Sequence, residues 1–518
     1  MDSVPREQEP TTTEMRNPSL WMATSEWLEQ PVLRGDVTVE AVVIGAGITG
    51  LTTARLLLEH GLTVAVVESG RVCSGVTALT TAKITALQST IYSDLTETWG
   101  RDVAAAYAGA NLEGLEMIRR RVVDESISCD FAPAPATTYA TSTRGARRIE
   151  AEARAAKDAG LAVTLTTESD LPYQIELSVR LEDQARFHPR RFCVGLLAGI
   201  LHDGGIVFEH TRALDIDRAT GTVVTDRGSI RSDIIVVASH VPFVHTGLFT
   251  SRMSASRSYA VAFRPAEVEV QGMHIGVEEP IRSVRATGDG YVIVGGESHP
   301  VGESRDTEAR YRTLESWARD HFGVDQIDYR WSAQDYRSAD GLPFVGALGS
   351  SGRVFFASGF AKWGMANGTI AAAIMTDLAL GRQNPWAEVF DSRRLGLRHG
   401  MTRLIRGNAR TLNNYLTKRW RRSGLPETDD LGRGQGAVVE TGGGKAAVFR
   451  DEDGELHAVS AVCTHLGCQV VFNPAERTWD CPCHGSRYGV DGAVVHGPAV
   501  DDLSTVEIRS PGRSPAGN

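Results

Sequence analysis

The stretch VTVEAVVIGAGITGLTTARLLLEHGLTVAVVESG, residues 37–70, decides the fold of most of this 518-residue chain. Its first apolar run ends at Gly45, and a helical pattern then continues to Glu59. Gly61 is placed as a helix stop signal, and a second apolar run follows it. The order strand, glycine turn, helix, strand predicts a Rossmann-like α/β unit.

The turn between the first strand and the helix has the form G-x-G-x-x-G. Gly45 permits the tight turn, Gly47 lets the backbone approach a pyrophosphate, and Gly50 allows the helix to pack closely on the strand. The N-terminus of the helix offers N–H groups and a positive dipole to phosphates. Glu68, at the end of the second strand, is placed to bond ribose hydroxyls. A purely structural turn is the alternative, but the flanking strands and the acidic residue favour a dinucleotide site.

The composition is that of a globular protein, with 42% hydrophobic and 23% charged residues. Its length predicts two or three domains. The net charge of −10 argues against a general nucleic-acid binder, and no apolar run approaches the length of about 18 residues that a membrane span needs. Residues 1–36 begin polar and acidic, so we expect a loose N-terminal tail without a secretory signal, and the cytoplasm as the compartment.

A basic segment separates two regions of different character. Residues 393–422 hold ten Lys or Arg and no Asp or Glu, and their apolar residues recur at helical spacing. This pattern predicts a basic amphipathic helix and linker over 393–424, either a connector packed on a domain or a membrane-surface helix. From residue 425 onward, seven basic and fourteen acidic residues give a net charge of −7 on short strand patterns. A small acidic β domain is predicted there.

Within that domain, CTHLGCQVVFNPAERTWDCPCHGSRYG at 463–489 gathers four cysteines and two histidines. Cys463 and His465 form C-x-H, and Cys481 and His484 form C-x-x-H. Two thiolates and two imidazoles suit a 2Fe–2S cluster in which one iron takes the thiolates and the other the imidazoles. Cys and His at such spacings also make tetrahedral zinc sites. The spacing by itself leaves both possibilities open.

The N-terminal part resembles the D-amino-acid oxidase and sarcosine oxidase family of flavoproteins over roughly residues 38–392. The likeness rests on the opening stretch and on GVTALTTAKI, DIIVVASH, DGLPFVG and FFASGFAKWGMANG. It implies noncovalent FAD, an FAD-binding Rossmann-like domain and a substrate domain with an antiparallel sheet. The implied division of residues 37–392 is FAD-binding at 37–90, 180–250 and 335–392, and substrate-binding at 91–179 and 251–334.

The same resemblance implies which residues border the flavin. On the loop after Glu68 and at the opposite rim, these are Thr80, Thr81, Lys83, Gly359, Phe360, Gly364 and Met365. The catalytic residue stays unknown, and the candidates for lining the substrate pocket are Lys83, Tyr259, Lys362 and Trp363. Ala366 and Ala86 stand where sarcosine-oxidase-like members carry a lysine and an arginine for the substrate carboxylate. This departure argues against an N-methyl amino acid as the substrate.

The segments CTHLGC and CPCHGS match the Rieske family, and Gly497, Pro498 and Ala499 match its proline loop. The match favours the 2Fe–2S cluster over zinc and implies a Rieske domain at 425–512. The residues it assigns are the ligands Cys463, His465, Cys481 and His484, the disulfide pair Cys468 and Cys483, and the hydroxyl donors Ser486 and Tyr488. Hydrogen bonds from such donors to a bridging sulfide and a ligand thiolate raise the reduction potential of the cluster.

Together these features predict an FAD-dependent dehydrogenase that oxidises a small amine, amino acid or related compound. Electrons are expected to pass one at a time to the Rieske cluster and then to an unknown external acceptor. Two alternatives stay open, an oxygen-using flavin oxidase with a structural Rieske domain and a non-catalytic redox or electron-transfer module.

Overall fold

A computed structural model describes residues 16–244, 249–266, 270–304, 306–349, 351–394, 427–441 and 444–508. The basic helix predicted at 393–424 lies, apart from its first two residues, outside the described residues. The α-helices in the described ranges are α1 (Leu20–Ala23), α2 (Ile48–Glu59), α3 (Ile91–Trp99), α4 (Arg101–Asp124), α5 (Thr143–Asp158), α6 (Pro189–His202), α7 (Thr307–Phe322), α8 (Gly364–Ala379) and α9 (Ala387–Phe390). No helix in this part of the chain is long and apolar enough to span a membrane.

The strands are grouped here by their place in the chain. In the first half they are β1 (Gly35–Thr38), β2 (Ala41–Ile44), β3 (Val64–Val67), β4 (Lys83–Ile84), β5 (Ala132–Pro133), β6 (Ala136–Ala140), β7 (Thr164–Thr166), β8 (Leu177–Leu181), β9 (Ala185–Arg186), β10 (Ile206–Phe208), β11 (Ala213–Asp217), β12 (Thr222–Thr225), β13 (Gly228–Arg231) and β14 (Ile234–Val237). In the second half they are β15 (Met253–Phe263), β16 (Met273–Gly276), β17 (Ser283–Ala286), β18 (Val292–Pro300), β19 (Tyr329–Ser338), β20 (Phe344–Ala347), β21 (Val354–Ser358), β22 (Gly436–Thr441), β23 (Gly444–Arg450), β24 (Leu456–Ser460), β25 (Val471–Asn473), β26 (Thr478–Asp480), β27 (Arg487–Tyr488) and β28 (Val494–His496).

A six-stranded sheet in the order β10-β3-β2-β14-β21-β20 forms the centre of the large domain. All neighbouring strands are parallel except β20, which runs antiparallel to β21. The residues of β2 and β3 are all buried, because helices cover parallel sheets. The helix α2 packs against α6 and α8, and α4 packs against α8. The strand–turn–helix–strand unit predicted from the opening stretch is confirmed.

An eight-stranded sheet in the order β19-β15-β18-β17-β16-β6-β8-β7 forms a second layer. Its pairs are antiparallel except β16 with β6. The antiparallel sheet predicted for the substrate domain is therefore confirmed as a fold element. Its edge strand β19 continues to Ser338, four residues past the predicted subdomain boundary at residue 334, and the boundaries themselves stay predictions.

The C-terminal domain is built from a three-stranded and a four-stranded antiparallel sheet, β22-β23-β24 and β25-β26-β27-β28. Its core packs Trp479, Phe449 and Phe472 against the cysteines of the C-x-H and C-x-x-H loops. The predicted all-β class of this domain is confirmed.

The expectation of a loose tail over residues 1–36 is wrong for its described part. Leu20 and Trp21 are buried in the main core. The Trp21 indole donates to Thr80 O at 2.7 Å, and the Asn17 amide donates to Ala475 O at 3.2 Å. This segment thus contacts both domains. The prediction followed the polar composition at the start of the chain and overlooked Leu20 and Trp21. Burial of these two apolar side chains stabilises the packing of the segment on the large domain.

The two domains share a buried interface. Arg257 on β15 pairs with Asp480 on β26 at 3.1 Å, and both side chains are at most 5% exposed. The Tyr311 hydroxyl donates to Glu476 at 2.9 Å, and the Thr307 hydroxyl donates to Asn473 at 2.7 Å. Because buried charges need partners, these contacts fix how the small domain sits on the second sheet.

Candidate functional site

A cavity of about 1920 Å³ lies between the two sheets and reaches the small domain. The glycine turn after β2 and the ends of β3 and β14 form one wall, and the segment from Ala493 to Val500 forms another. Ligands of open parallel sheets bind at the carboxyl ends of the strands. The cavity therefore occupies the place where this fold is expected to hold a nucleotide.

Each glycine of the turn has a distinct environment. Gly45 has a φ of 105°, and a Cβ there would lie 2.6 Å from Ala238 O. A Cβ at Gly50 would lie 1.9 Å from Gly45 O, so only glycine lets α2 start this close to the turn. A Cβ at Gly47 would meet only Thr77 Oγ1, at 3.1 Å, which leaves the backbone open to the cavity. This cradle fits the pyrophosphate of a dinucleotide.

Glu68 follows β3 and is half-buried on the cavity wall. Its carboxylate accepts from Ala46 N and Gly70 N, both at 2.9 Å, and from the Ser69 hydroxyl at 3.2 Å. A carboxylate has about four acceptor positions. Glu68 is thus held in place and keeps capacity to accept a further hydroxyl.

Thr80 and Thr81 line the cavity after a short 3-10 turn at Val76–Leu79. The Thr80 hydroxyl accepts from Ala82 N at 3.1 Å, which orders the loop. Both threonines lie on the wall that also contains Glu68, as the resemblance implies.

Lys83 is buried on the cavity wall and anchored to the second sheet. Its ammonium group donates to Ser283 Oγ at 2.7 Å and to His274 O. Burial and the charge of Arg285 lower the pKa of Lys83 well below its ordinary value. An amine held by two hydrogen bonds to the second sheet is suited to fixing the position of the loop that carries it.

The late glycine-rich loop between β21 and α8 forms the opposite wall. The cavity is lined there by Gly359, Phe360, Ala361, Lys362, Trp363, Gly364 and Met365. Ala361 and Lys362 both have positive φ, 51° and 74°, which is unusual for residues with a Cβ. The Lys362 ammonium group donates to Ser298 Oγ at 2.7 Å. The structure thus brings both predicted flavin loops to one cavity.

Tyr259 also touches this cavity, but its ring packs in the core behind the second sheet. Its hydroxyl lies 3.0 Å from His299 Nε2. Burial raises the pKa of Tyr259 above its ordinary value. Tyr259 therefore lines the cavity, but its hydroxyl is already paired with His299.

The four predicted cluster ligands lie at one end of the small domain. The ring centroids of His465 and His484 are 5.1 Å apart, and Cys463 and Cys481 are both buried. The adjacent Cys481 thiol, with help from the Tyr488 hydroxyl, lowers the pKa of Cys463 to about 6. The same contact, together with burial, raises the pKa of Cys481. The two predicted sulfur ligands thus lie side by side, as two ligands of one metal ion must.

His484 is buried, and burial lowers its pKa to about 4. Its Nδ1 has no hydrogen-bond partner among the described residues. A buried, neutral imidazole nitrogen without a partner is uncommon in a folded protein and is a suitable metal ligand. This orphaned atom fits an iron site at this position.

Cys468 and Cys483 form a disulfide between the two ligand loops, as the resemblance implies. Cys481 Sγ lies within 4.8 Å of both disulfide sulfurs. Because a disulfide sulfur is not a thiolate, Cys463 and Cys481 are the sulfur donors that remain in these loops.

Tyr488 and Ser486 lie beside the sulfur donors. Thr464 N donates to the Tyr488 hydroxyl oxygen at 3.2 Å, and that hydroxyl lies 3.1 Å from Cys463 Sγ. The Ser486 hydroxyl accepts from Ala499 N at 3.1 Å and also lowers the pKa of Cys463. Both predicted hydroxyls thus lie beside the Cys463 sulfur.

The sequence did not predict the residues that connect the cavity of the large domain with the Rieske domain through hydrogen bonds. His240, which follows β14, lies 3.1 Å from His496 Nε2 through Nδ1 and 3.0 Å from Asp335 through Nε2. His240 also has a positive φ of 68°. Its position at the end of a parallel strand was the only signal in the sequence, and that signal names no partner.

Comparison with known families agrees with both halves of this description. The model of the FAD dependent oxidoreductase family matches residues 40–378, and that of the Rieske [2Fe-2S] domain matches residues 424–507. The chain belongs to the FAD-dependent oxidoreductases and carries a Rieske domain. FAD and a Rieske 2Fe–2S cluster are accordingly its cofactors.

Among curated proteins, the Rieske 2Fe-2S iron-sulfur protein YhfW of Bacillus subtilis strain 168 is 34% identical over 495 residues, which span 94% of this chain and 97% of that protein. The cytochrome b6-f complex iron-sulfur subunit of Pisum sativum is 53% identical over 57 residues, 11% of this chain and 25% of that protein.

Among solved structures, glycine oxidase from Geobacillus kaustophilus has a TM-score of 0.58 at 17% identity, covering 69% of this chain and 99% of its own. L-amino acid deaminase from Proteus vulgaris also has a TM-score of 0.58, at 14% identity, covering 72% of this chain and all of its own. These two likenesses concern the fold.

Proposed function

We propose that this protein is a dehydrogenase that oxidises a small amine, amino acid or related compound and passes the electrons to its own Rieske cluster. The observation that carries the proposal is the shared cavity. Its walls hold the glycine cradle of one domain and the segment Ala493–Val500 of the other, which includes the proline loop. A cavity that extends from the flavin-binding loops to this segment of the Rieske domain is suited to electron exchange between the two domains.

The residues proposed to hold FAD are those whose geometry suits its parts. The glycine turn would take the pyrophosphate, Glu68 the ribose, and the loops at 80–83 and 359–365 the ring system. Backbone N–H groups at the start of α2 add favourable charge for the phosphates. Lys83, bonded to Ser283 and His274, would position the early loop against the second sheet.

The residues proposed as cluster ligands are Cys463, Cys481, His465 and His484. The Tyr488 and Ser486 hydroxyls would stabilise added negative charge on the sulfur side of the cluster and so favour its reduced state. FAD supplies two-electron chemistry when bound, and the cluster supplies one-electron chemistry. We therefore expect two successive transfers for each substrate oxidised and a one-electron acceptor outside the protein.

The substrate class rests on three supports. Two proteins with the same fold are, by name, a glycine oxidase and an L-amino acid deaminase. The cavity has room for a small compound beside the flavin-binding loops. Cationic side chains such as Lys362 and Arg337 line it, and they would attract a carboxylate.

The test is an anaerobic screen of small amines, amino acids and hydroxy acids with the purified holoprotein. Flavin absorbance and the EPR signal of the reduced cluster are recorded in the same sample. We expect at least one compound to bleach the flavin and then reduce the cluster. Flavin bleaching with an EPR-silent cluster, together with peroxide formation in air that persists in His484→Ala, would instead identify an oxidase with a structural Rieske domain.

A further inference from the structure

Three consecutive residues of the edge strand β19 together contact the late flavin loop and the loop that carries His484. They are Gln334, Asp335 and Tyr336. We call them the interdomain clamp. They are 3%, 7% and 2% exposed, so their polar atoms depend on protein partners. Those partners lie on the late flavin loop of one domain and on the cluster loop of the other.

On the oxidoreductase side, the clamp holds a strained segment. Tyr336 O accepts from Ala361 N at 2.9 Å, and the Asp335 carboxylate accepts from Lys362 N. Ala361 and Lys362 are the two non-glycine residues of this loop with left-handed backbone, at φ 51° and 74°. Strained backbone persists where surrounding contacts hold it in place, and it is concentrated at functional sites. Asp335 and Tyr336 of the clamp provide such contacts.

On the Rieske side, the clamp holds the loop that carries His484. The Tyr336 hydroxyl donates to His484 O at 3.0 Å, and Gln334 Nε2 donates to Gly485 O at 2.7 Å. The fit leaves no spare space, since a Cβ at Gly485 would lie 2.7 Å from both Gln334 Nε2 and the Tyr336 hydroxyl.

Asp335 extends the contact to a third segment. Its carboxylate lies 3.0 Å from His240 Nε2, and His240 Nδ1 lies 3.1 Å from His496, the residue before the proline loop. His240 is the third non-glycine residue around the clamp with positive φ. The clamp is thus the point where the strained residues of one domain meet the cluster-side loops of the other.

We propose that Gln334, Asp335 and Tyr336 are positioning residues that hold the late flavin loop and the His484 loop in one fixed arrangement for electron transfer between the two sites. The proposal rests on the proposed function for its purpose, but its structural content is independent of the substrate. The proposal requires that loss of the Tyr336 bond to His484 O also alter the late flavin loop, because Tyr336 is bonded to Ala361 N as well.

The test uses Tyr336→Phe in the holoprotein, which removes the hydroxyl bonded to His484 O and keeps the backbone bond to Ala361. Tyr92→Phe is the matched control, since the Tyr92 hydroxyl is also buried and donates to a backbone carbonyl, Ala86 O, at 2.6 Å within the large domain. Both variants lose one hydrogen bond donated to a backbone carbonyl, and Tyr336→Phe also loses the acceptor of Gln334 Nε2, which lies 3.2 Å from the hydroxyl. The melting temperature of Tyr336→Phe is therefore expected to equal that of Tyr92→Phe or to lie slightly below it.

Hydrogen–deuterium exchange measures the coupling directly. In Tyr336→Phe we expect the amides of 483–486 and of 361–363 to exchange about five- to tenfold faster, as the loss of one buried hydrogen bond implies. Tyr92→Phe should leave both segments as in the wild type. Faster exchange in 483–486 alone, or in neither segment, overturns the proposal.

A kinetic measurement then separates this proposal from the proposed function. Anaerobic rapid mixing with substoichiometric sodium dithionite follows the redistribution of electrons between flavin absorbance and cluster EPR. We expect it to slow about tenfold in Tyr336→Phe if one hydrogen bond controls the arrangement, and to keep the wild-type rate in Tyr92→Phe. An unchanged rate in Tyr336→Phe contradicts the positioning role. If no electrons redistribute between flavin and cluster in the wild type, the proposed function is contradicted. The hydrogen–deuterium exchange rates then test the clamp by themselves.

Gln334→Glu provides a second variant should Tyr336→Phe fold poorly. It keeps an oxygen for Arg257, which donates to Gln334 Oε1 at 3.1 Å, and loses the donor to Gly485 O. Because Gln334 Nε2 also donates to the Tyr336 hydroxyl at 3.2 Å, its loss should disturb Tyr336 and speed exchange in both segments. The absence of this effect counts against the clamp.

Discussion

At the scale of single residues, the Tyr488 hydroxyl lies beside the sulfur of Cys463. Thr464 N donates to the Tyr488 oxygen, and the hydroxyl lies 3.1 Å from Cys463 Sγ and 3.1 Å from Thr464 Oγ1. The phenol is fully buried, and burial raises its pKa, so it stays a donor. A donor to a thiolate stabilises the more negative state of whatever the thiolate binds.

Tyr488→Phe is therefore expected to lower the reduction potential of the cluster. A bond that favours the reduced state by about 1.4 kcal/mol corresponds to about 59 mV for one electron. A potentiometric titration followed by EPR measures the shift, with Tyr92→Phe as the control for a lost buried hydroxyl. A potential equal to that of the wild type would show that this hydroxyl does not contact the cluster sulfur.

Gly47 and Gly50 differ in what a methyl group would meet, and their alanine variants should differ accordingly. Gly47→Ala is expected to fold and to bind FAD at least tenfold more weakly, about 1.4 kcal/mol, because the Cβ meets only Thr77 Oγ1 on the protein side. Gly50→Ala should instead impair folding, since its Cβ would overlap Gly45 O. Flavin content and melting temperature of the purified variants check both. If Gly47→Ala and Gly50→Ala lost flavin equally and both kept the wild-type melting temperature, this expected difference would be contradicted.

At the scale of structural elements, the loops around Cys463 and Cys481 are joined by a disulfide that closes a short segment. The pair spans 15 residues, for which loop closure in the unfolded chain accounts for about 3 kcal/mol of stabilisation. Neither loop has regular secondary structure of its own, so covalent closure compensates for their conformational entropy.

The double variant Cys468→Ser, Cys483→Ser is expected to lose the cluster at lower urea concentration than the wild type, by a stability difference of about 2–4 kcal/mol. The circular dichroism of the cluster in a urea titration measures it. Adding reductant to the wild type should reproduce the effect and should not destabilise the variant further. Identical urea midpoints would rule out a stabilising role.

The start of α3 depends on a buried carboxylate from α5. Glu152 accepts from Tyr92 N and Ser93 N, both at 2.9 Å, and from the Ser93 hydroxyl at 2.7 Å. Burial nevertheless raises the pKa of Glu152 to about 7, since the three donors offset only part of the desolvation.

This shift gives a pH dependence with a definite sign. Between the ordinary pKa of 4.5 and about 7, the folded protein holds a proton that the unfolded chain has lost. The free energy of unfolding therefore falls as the pH rises through this window, by up to about 1.4 kcal/mol per unit. Glu152→Gln lacks this contribution, so its melting temperature relative to that of the wild type should rise from pH 5 to pH 8. Parallel melting curves over that range would contradict the assignment.

At the scale of the whole molecule, the small domain is held by buried polar contacts. Arg257 donates to Ser332 at 2.9 Å, to Gln334 at 3.1 Å and to Asp480 at 3.1 Å, and Asp480 also faces Arg487 at 3.2 Å. A buried ion pair whose members lie on different domains specifies one arrangement, since each charge is costly without its partner.

Arg257→Met is expected to weaken the interface by about 3 kcal/mol, the lower end of the range for breaking a buried pair, because Arg487 still faces Asp480. Limited proteolysis and urea unfolding, followed at flavin and cluster separately, should then show two transitions at separate midpoints. Arg264→Met is the control, because Arg264 is exposed and lies 4.1 Å over the Tyr291 ring. A single transition coincident with that of the control would contradict a stabilising interdomain pair.

The sequence by itself determined the local elements of this protein. Glycines at fixed offsets between two apolar runs, and Cys and His at C-x-H and C-x-x-H spacing, are local patterns whose chemistry needs neighbours only a few residues away. For that reason the turn at Gly45 and the helix to Glu59 agree with the structure. The disulfide between Cys468 and Cys483 also agrees, but it was implied by the resemblance to the Rieske family and not by the spacing. The basic segment at 393–424 stays a prediction.

The tertiary structure alone decided how the domains meet and which distant residues join them. Tyr336 and His240 are ordinary residues in sequence, and their partners His484 and His496 lie more than a hundred positions away. The packing of Trp21 also depends on a core assembled from distant segments. Long-range contacts depend on sheet order and on complementary burial, which a local pattern of residues does not encode.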